Sequence, residues 1–235
     1  PPKISSRLRL LEKIQNDLSR ESLPAKDHFG GYLRRQYRRN CKPNTLRTAA
    51  ASLKQFLTFY RLSGKQHIEQ LSREDIETFV ESLQDRGLKP TTVSSRLRTV
   101  YAFVRFLIED KVLGYELLER RIRIKLPDRL PRAIDPEDLK QFLAAIDTVR
   151  DRAMILLLLR TGMRIGELLN TKIHDVDLNN RRILIYEAEK NSVGRVAYYS
   201  DDAEQALMSW LQVRNTFKEY LFYGLGNGPL GYEAA

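Results

Sequence analysis

Thr161-Gly162-Met163-Arg164-Ile165-Gly166-Glu167-Leu168 sets an arginine and a glutamate three positions apart, directly after the longest apolar run of the chain, Ala153 to Leu159. A guanidinium is planar, always charged and able to hold two phosphate oxygens at once. At i+3 on a helix, Glu167 shares a face with Arg164 and the two side chains can meet. Alone, the pair reads equally as a surface Arg–Glu contact beside a glycine turn. Lys190 and Arg195 follow, five residues apart, in the stretch EAEKNSVGRVAYYS. A lone cysteine, Cys41, allows neither an intrachain disulfide nor a cysteine-based zinc site.

Helices must position most of these groups. Leu46, Ala49, Ala50, Leu53, Leu57 and Tyr60 recur at helical spacing after Lys42-Pro43-Asn44, and Ser72 with Asp75 forms a capping-box signature ahead of Ile76, Phe79, Val80 and Leu83. A third helix is predicted from Pro90-Thr91, with Val93, Leu97, Val100, Tyr101, Val104 and Leu107 toward a core. Residues 115–133, with Pro127 and Pro131, read as a linker. A second domain opens at Asp135-Pro136-Glu137-Asp138, with Leu139, Phe142, Leu143 and Ile146 as its first apolar face. A helix through Asp151 to Arg160 breaks at Thr161-Gly162. The period then changes: Arg182 to Tyr186 and Val196 to Tyr199 favour strands joined by a polar turn, and helix resumes from Ser200-Asp201.

Charge is unevenly distributed. The chain carries a net +10 and a pI near 9.7. Residues 1–130 hold 27 Lys/Arg against 15 Asp/Glu, whereas residues 131–235 hold 13 against 15. A polyanionic partner for the first half is the expectation. The longest apolar run, seven residues, is far short of the roughly 20 that cross a bilayer, so no membrane span is expected. The N-terminus reads as an amphipathic arm, not a signal peptide, and a reducing cytoplasm fits the single cysteine.

The segment DRAMILLLLRTGMRIGELLNTKIHDVDL resembles the first conserved box of tyrosine recombinases of the phage integrase family, with Thr161, Gly162, Arg164, Glu167 and Leu168 matching Thr-Gly-x-Arg-x-x-Glu-Leu. That resemblance implies that Arg164 holds the scissile phosphate and that Glu167 orients the arginine or its neighbourhood. EAEKNSVGRVAYYS is similar to the family's Gly-Lys-Gly turn, which makes Lys190 a general acid toward the leaving 5′-oxygen and Arg195 a DNA contact. Glu189 and Asn191 replace its glycines, and Ala197 its proline. KPNTLRTAAASLKQFLTFY and LKPTTVSSRLRTVYAFVRFL resemble the family's helical core-binding domain. Lys42, Thr45, Arg47, Lys89, Thr91, Thr92, Ser95 and Arg96 are then candidates for phosphate contacts.

The implied fold is mainly α: a SAM-like helical core-binding domain and an α-rich catalytic domain with a small antiparallel sheet, arranged as a C-shaped clamp. The expected boundaries are an N-terminal arm or helix over 1–24, the core-binding domain over 25–114, the linker over 115–133 and a partial catalytic domain over 134–235. The implied function is site-specific recombination of double-stranded DNA through a 3′-phosphotyrosine link, with no metal or other cofactor and with four protomers on synapsed DNA. His28, His67 and His174 are followed three residues later by Gly31, Gln70 and Asp177, so the family's His-x-x-Arg box has no match, and none of the eleven tyrosines falls where the nucleophile belongs. The 235 residues are therefore expected to be inactive as they stand. A non-catalytic DNA-binding relative that regulates recombination sites, and a helical scaffold with incidental basic charge, are the alternatives.

Overall fold

The computed structural model describes residues 6–128, 133–186 and 194–235. The chain divides into two compact units, Pro1–Leu130 and Pro131–Ala235. The first is helical: α1 (Ser6–Ser19), α2 (Lys26–Arg38), α3 (Pro43–Leu62), α4 (Arg73–Asp85), α5 (Pro90–Glu109) and the single turn α6 (Glu116–Glu119). Its core is the periodic face read from the sequence. Leu46, Leu53, Leu57 and Tyr60 of α3, Ile76 and Leu83 of α4, and Val93, Val100, Val104 and Leu107 of α5 are fully buried. Each such side chain contributes on the order of 1.5–3 kcal/mol of burial.

The capping box at α4 is formed. The Ser72 N–H donates to Asp75 Oδ2 at 2.8 Å and the Asp75 N–H to Ser72 Oγ at 3.3 Å, while Lys65 Nζ lies 2.6 Å from Asp75 Oδ1. Burial pushes the Asp75 carboxyl up, but Lys65 and the two Ser72 donors together hold it below its ordinary value.

Two segments set apart by the sequence reading belong to this core. In residues 1–24, α1 buries Leu11 and Leu18 among the same residues as α3 and α5, and Arg7 caps the far end of α2 by stacking on the Tyr37 ring and donating to the Tyr37 carbonyl at 2.8 Å. In residues 115–133, Ile122 and Ile124 pack on the core and the Ile122 N–H donates to Tyr101 Oη at 2.8 Å. Ile122 and Ile124 alternate with Arg121, Arg123 and Lys125, so an extended backbone lays its apolar side inward, which a reading by helical period does not register.

The second unit contains α7 (Pro136–Ala144), α8 (Val149–Thr161), α9 (Ile165–Leu169), β1 (Val176–Asp177), β2 (Arg182–Ile185), β3 (Arg195–Tyr198) and α10 (Asp201–Val213). The strands form an antiparallel sheet in the order β1-β2-β3, with Ile183 opposite Ala197 and Ile185 opposite Arg195. α8 packs on α10, and the two are tied at one end where Arg160 Nε and Nη2 donate to Asp202 Oδ2 at 2.9 and 2.6 Å. That pairing, with Ser200 Oγ, holds the Asp202 carboxyl down at about 2. The apolar face expected on α7 is only partly used: Phe142 is 51% exposed and Leu143 half-buried. The helix has nine residues, so only its inner edge reaches the core of α8, α10 and the sheet. After α10, the buried Arg214 donates through Nη2 to the carbonyls of Lys218 (2.6 Å) and Tyr220 (2.9 Å), which folds the following segment back and seats Leu221 and Phe222 in the core. Among the described residues, no helix is long and apolar enough to cross a membrane.

Candidate phosphate-binding site

The site starts from a helix end. α8 buries Ala153, Met154, Leu156 and Leu157 and stops on Gly162, whose φ of 61° and ψ of 22° place it in the left-handed region that costs glycine nothing. The reversal brings the chain straight into Arg164, the extended residue that precedes α9. Thr161 Oγ1 accepts from the Met163 N–H at 3.2 Å and steadies the turn.

Glu167 is the centre of the arrangement. Its side chain has no solvent exposure, and both oxygens are doubly used. Oε2 accepts from the Arg164 N–H at 2.9 Å and from Arg195 Nη2 at 2.8 Å, and Oε1 accepts from Arg164 Nη1 at 2.8 Å and from Arg195 Nη1 at 3.1 Å. Burial alone pushes this carboxyl up. The Arg164 N–H, the Arg164 guanidinium and Arg195 outweigh it and hold the group below its ordinary value, ionised at neutral pH. Thr171 Oγ1, also buried, donates to the Glu167 carbonyl at 3.0 Å and closes the short helix.

One carboxylate facing two guanidiniums leaves a local charge of +1. The Arg164 side chain is 45% exposed and that of Arg195 36%. The Arg164 guanidinium meets Glu167 through Nη1 only, and among the described residues its Nε and Nη2 carry no hydrogen bond. An arginine oriented on one edge and open on the other is arranged to take a phosphate. The spacing that suggested an Arg164–Glu167 pair is thus realised, and Arg195 joins it from β3. The sequence carried no sign of that third partner, because 28 residues separate Arg195 from Glu167. Lys190 lies outside the described residues. No cluster of His, Cys, Asp or Glu among the described residues could hold a metal ion.

The candidate phosphate contacts of the first unit fall at two helix starts. Lys42 and Lys89 are the residues that precede α3 and α5, each followed by a proline at the first helical position, and neither helix has a side chain capping its first amides. Thr45 and Arg47 are exposed, with Arg47 Nη1 on Asn44 Oδ1 at 2.8 Å. Lys89 and Thr91 are exposed, and Thr92, Ser95 and Arg96 half-buried. Uncapped amides with lysines beside them present positive charge to an anion. Arg96 Nη1 is a buried atom with no hydrogen-bond partner among the described residues.

Comparison with known proteins accounts for both units. The model of the phage integrase family matches residues 132–235, and that of the phage integrase N-terminal SAM-like domain matches residues 27–111. The tyrosine recombinase XerC of Roseiflexus sp. (strain RS-1) is 27% identical over 184 residues, covering 72% of this chain and 59% of that protein. XerC of Bacillus subtilis (strain 168) is 25% identical over 181 residues, covering 75% and 59%. The chain thus spans about three-fifths of the length of these relatives. Among solved structures, the Tn1549 transposon integrase in complex with transposon right end DNA superposes with a TM-score of 0.69 at 19% identity, covering 88% of this chain and 74% of that one. A lambda integrase tetramer bound to a Holliday junction gives 0.69 at 18% identity, covering 98% and 67%. The structural likeness fixes the fold, the family models account for each unit in turn, and the two curated relatives above are tyrosine recombinases: the chain belongs to the phage integrase family of tyrosine recombinases.

Proposed function

We propose that this chain supplies the DNA-binding domain and the arginine–lysine part of the active site of a site-specific recombinase. The enzyme cleaves and rejoins double-stranded DNA through a 3′-phosphotyrosine link. The observation that carries the reading is the Glu167-oriented Arg164, open on one edge, inside a segment matched by the integrase family model. Attack of a tyrosine hydroxyl on a phosphodiester forms the phosphotyrosine bond and releases a 5′-hydroxyl, and the 5′-hydroxyl of a partner duplex reverses the step. One phosphoester is exchanged for another, so bond energy is conserved and neither ATP nor another cofactor is called for. Arg164 stabilises the extra charge on the phosphoryl oxygens in the transition state, and Lys190 donates the proton to the leaving 5′-oxygen.

The domain assignment is part of the proposal: residues 25–114 bind DNA, with Lys42, Thr45, Arg47, Lys89, Thr91, Thr92, Ser95 and Arg96 on backbone phosphates, and residues 134–235 carry part of the catalytic domain. By analogy with the lambda integrase tetramer on a Holliday junction, four protomers act on two synapsed sites, and the compartment is the cytoplasm.

The test needs a chain that also carries the family's His-x-x-Arg box and tyrosine, on a nicked duplex that traps the covalent adduct. Arg164→Ala lowers the rate of adduct formation by about 10²–10³ while leaving DNA affinity near wild type, because the contact strengthens only as charge develops. Arg164→Lys rescues poorly, having charge without the fork. Folded variants that cleave at the wild-type rate leave a DNA-binding module as the better account.

A further inference from the structure

We propose that Arg195 is a positioning residue, acting on Arg164 through Glu167, and not a DNA-phosphate contact. The inference rests on the recombinase reading above and deepens it. An ionised carboxylate offers about four acceptor sites, and all four of Glu167 are taken, two by Arg164 and two by Arg195. Without Arg195, the plane of the Glu167 carboxylate is set by Arg164 alone, through its N–H on Oε2 and one Nη on Oε1. The forked contact from Arg195 fixes that plane from the sheet side, and Oε1 then sets the direction of the Arg164 guanidinium.

Arg195 commits two of its five N–H donors to Glu167, one from each Nη. Both Nη atoms are engaged on a group with no solvent exposure. Swinging it onto a DNA phosphate would leave a buried carboxylate half-satisfied, the costly outcome for an internal charge. The backbone is fitted to deliver it. A Cβ at Gly194 would stand 3.0 Å from the Ile185 carbonyl oxygen and 3.1 Å from that of Tyr186, so a larger residue would require the end of β2 to give by a few tenths of an ångström where β3 starts. Arg195 is the first residue of β3, opposite Ile185, and Lys190 lies five residues before it in the chain. A single buried carboxylate therefore ties Arg164 to the strand that follows Lys190.

The test compares Arg195→Ala, Arg195→Lys, Glu167→Gln and the double variant Glu167→Gln/Arg195→Ala. In the 235-residue chain, NMR follows the titration of the Glu167 carboxyl and duplex binding is measured across a salt series. In a chain with the His-x-x-Arg box and tyrosine, adduct formation is timed. With Arg195→Ala the Glu167 carboxyl titrates at higher pH, duplex affinity and its salt slope stay within about twofold of wild type, and cleavage slows by about 10²-fold, the penalty of a misplaced catalytic group. Arg195→Lys restores little of the rate. Adding Arg195→Ala to Glu167→Gln costs less than Arg195→Ala alone, as two residues acting through one contact require.

The proposal is overturned if Arg195→Ala leaves the Glu167 titration and the cleavage rate unchanged but weakens duplex binding and lowers the salt slope by about one, the signature of a phosphate contact. If Arg195→Ala does not fold, Arg195→Lys decides between the same two outcomes. Failure of the recombinase reading is separate: the otherwise wild-type chain that carries the His-x-x-Arg box and tyrosine would then form no adduct, whatever Arg195 does to Glu167.

Discussion

Replacing Glu167 by glutamine keeps the shape of the most buried ionised group in the second unit and removes its charge, which makes the cost of the arrangement measurable. The carboxylate accepts four hydrogen bonds, three at 2.8–2.9 Å and one at 3.1 Å, all from arginine. Glutamine keeps one accepting oxygen and turns an NH2 toward the donors that used the other. Two of the four bonds are lost and the remaining two become bonds to a neutral acceptor, each roughly half as strong. Water reaches the guanidiniums of Arg164 and Arg195, whose side chains are 45% and 36% exposed, and this offsets much of the loss. The expected destabilisation is about 2–3 kcal/mol, below the roughly 3–5 kcal/mol seen when one partner is removed from a fully buried pair. For a unit of this size that is a drop in Tm on the order of 10 °C. Trp210 is the only tryptophan and packs in the second core, so its fluorescence reports this unit. The effect has a pH signature. Folding lowers the Glu167 carboxyl below its ordinary value of 4.5, so its stabilisation is present in full above that value and drains away as pH falls through the folded one. The gap between wild type and Glu167→Gln is widest at neutral pH and closes on acidification. Equal melting at neutral pH, or a gap that does not change with pH, would refute the reasoning.

The 235-residue chain is expected to bind duplex DNA with an affinity that falls steeply with salt, since the first unit holds the whole cationic excess. Replacing Lys89, Thr92 and Arg96 weakens binding to unrelated sequences equally; a fluorescence anisotropy titration over a salt series checks both. Gly194→Val forces a Cβ against the Ile185 carbonyl, costs about 1–3 kcal/mol of overpacking and lowers the Trp210-monitored melting temperature. Ser72→Ala removes the cap that accepts from the Asp75 N–H and costs about 1 kcal/mol, read as an earlier urea midpoint in far-UV circular dichroism with Trp210 fluorescence unmoved.

What was legible in the sequence is what depends on near neighbours in the chain. The faces of α3, α4 and α5, the Ser72–Asp75 box and the break at Gly162 all rest on spacings of three or four residues, and each appears in the structure as read. Arg164 and Glu167 belong to the same class. Their acidic partner could be named from i+3 geometry, yet its burial could not, because a carboxylate is tolerated inside only once a second cation arrives, and Arg195 comes from a strand 28 residues on. The role of α7 was over-read for the converse reason: an apolar period states which side of a helix could be buried, and the rest of the fold decides how much of it is. Ile122 and Ile124 were passed over because prolines and charges around them look like linker chemistry, and only the tertiary position of Tyr101 gives the Ile122 N–H a partner.

The same logic bears on why the two units differ so much in charge. Residues 1–130 carry twelve more cations than anions, and residues 131–235 two fewer. Under the proposed function, phosphate attraction in the ground state is drawn from the helical unit, where uncapped helix starts and lysines would meet a backbone that does not change during the reaction. A catalytic unit with a similar surplus would also bind the intact phosphodiester tightly, and binding that is equal in ground and transition states adds nothing to the chemical step. The second unit instead holds two arginines on one buried carboxylate, so that the local charge is +1 and its direction is fixed by the fold. A fixed donor is worth most where charge develops and costs no reorganisation at that moment. On this argument Glu167 orients Arg164 toward the charge that develops, and its replacement by glutamine should slow cleavage while leaving binding of the uncleaved duplex near wild type. Weaker binding and slower cleavage together would mean that Glu167 does no more than hold the fold.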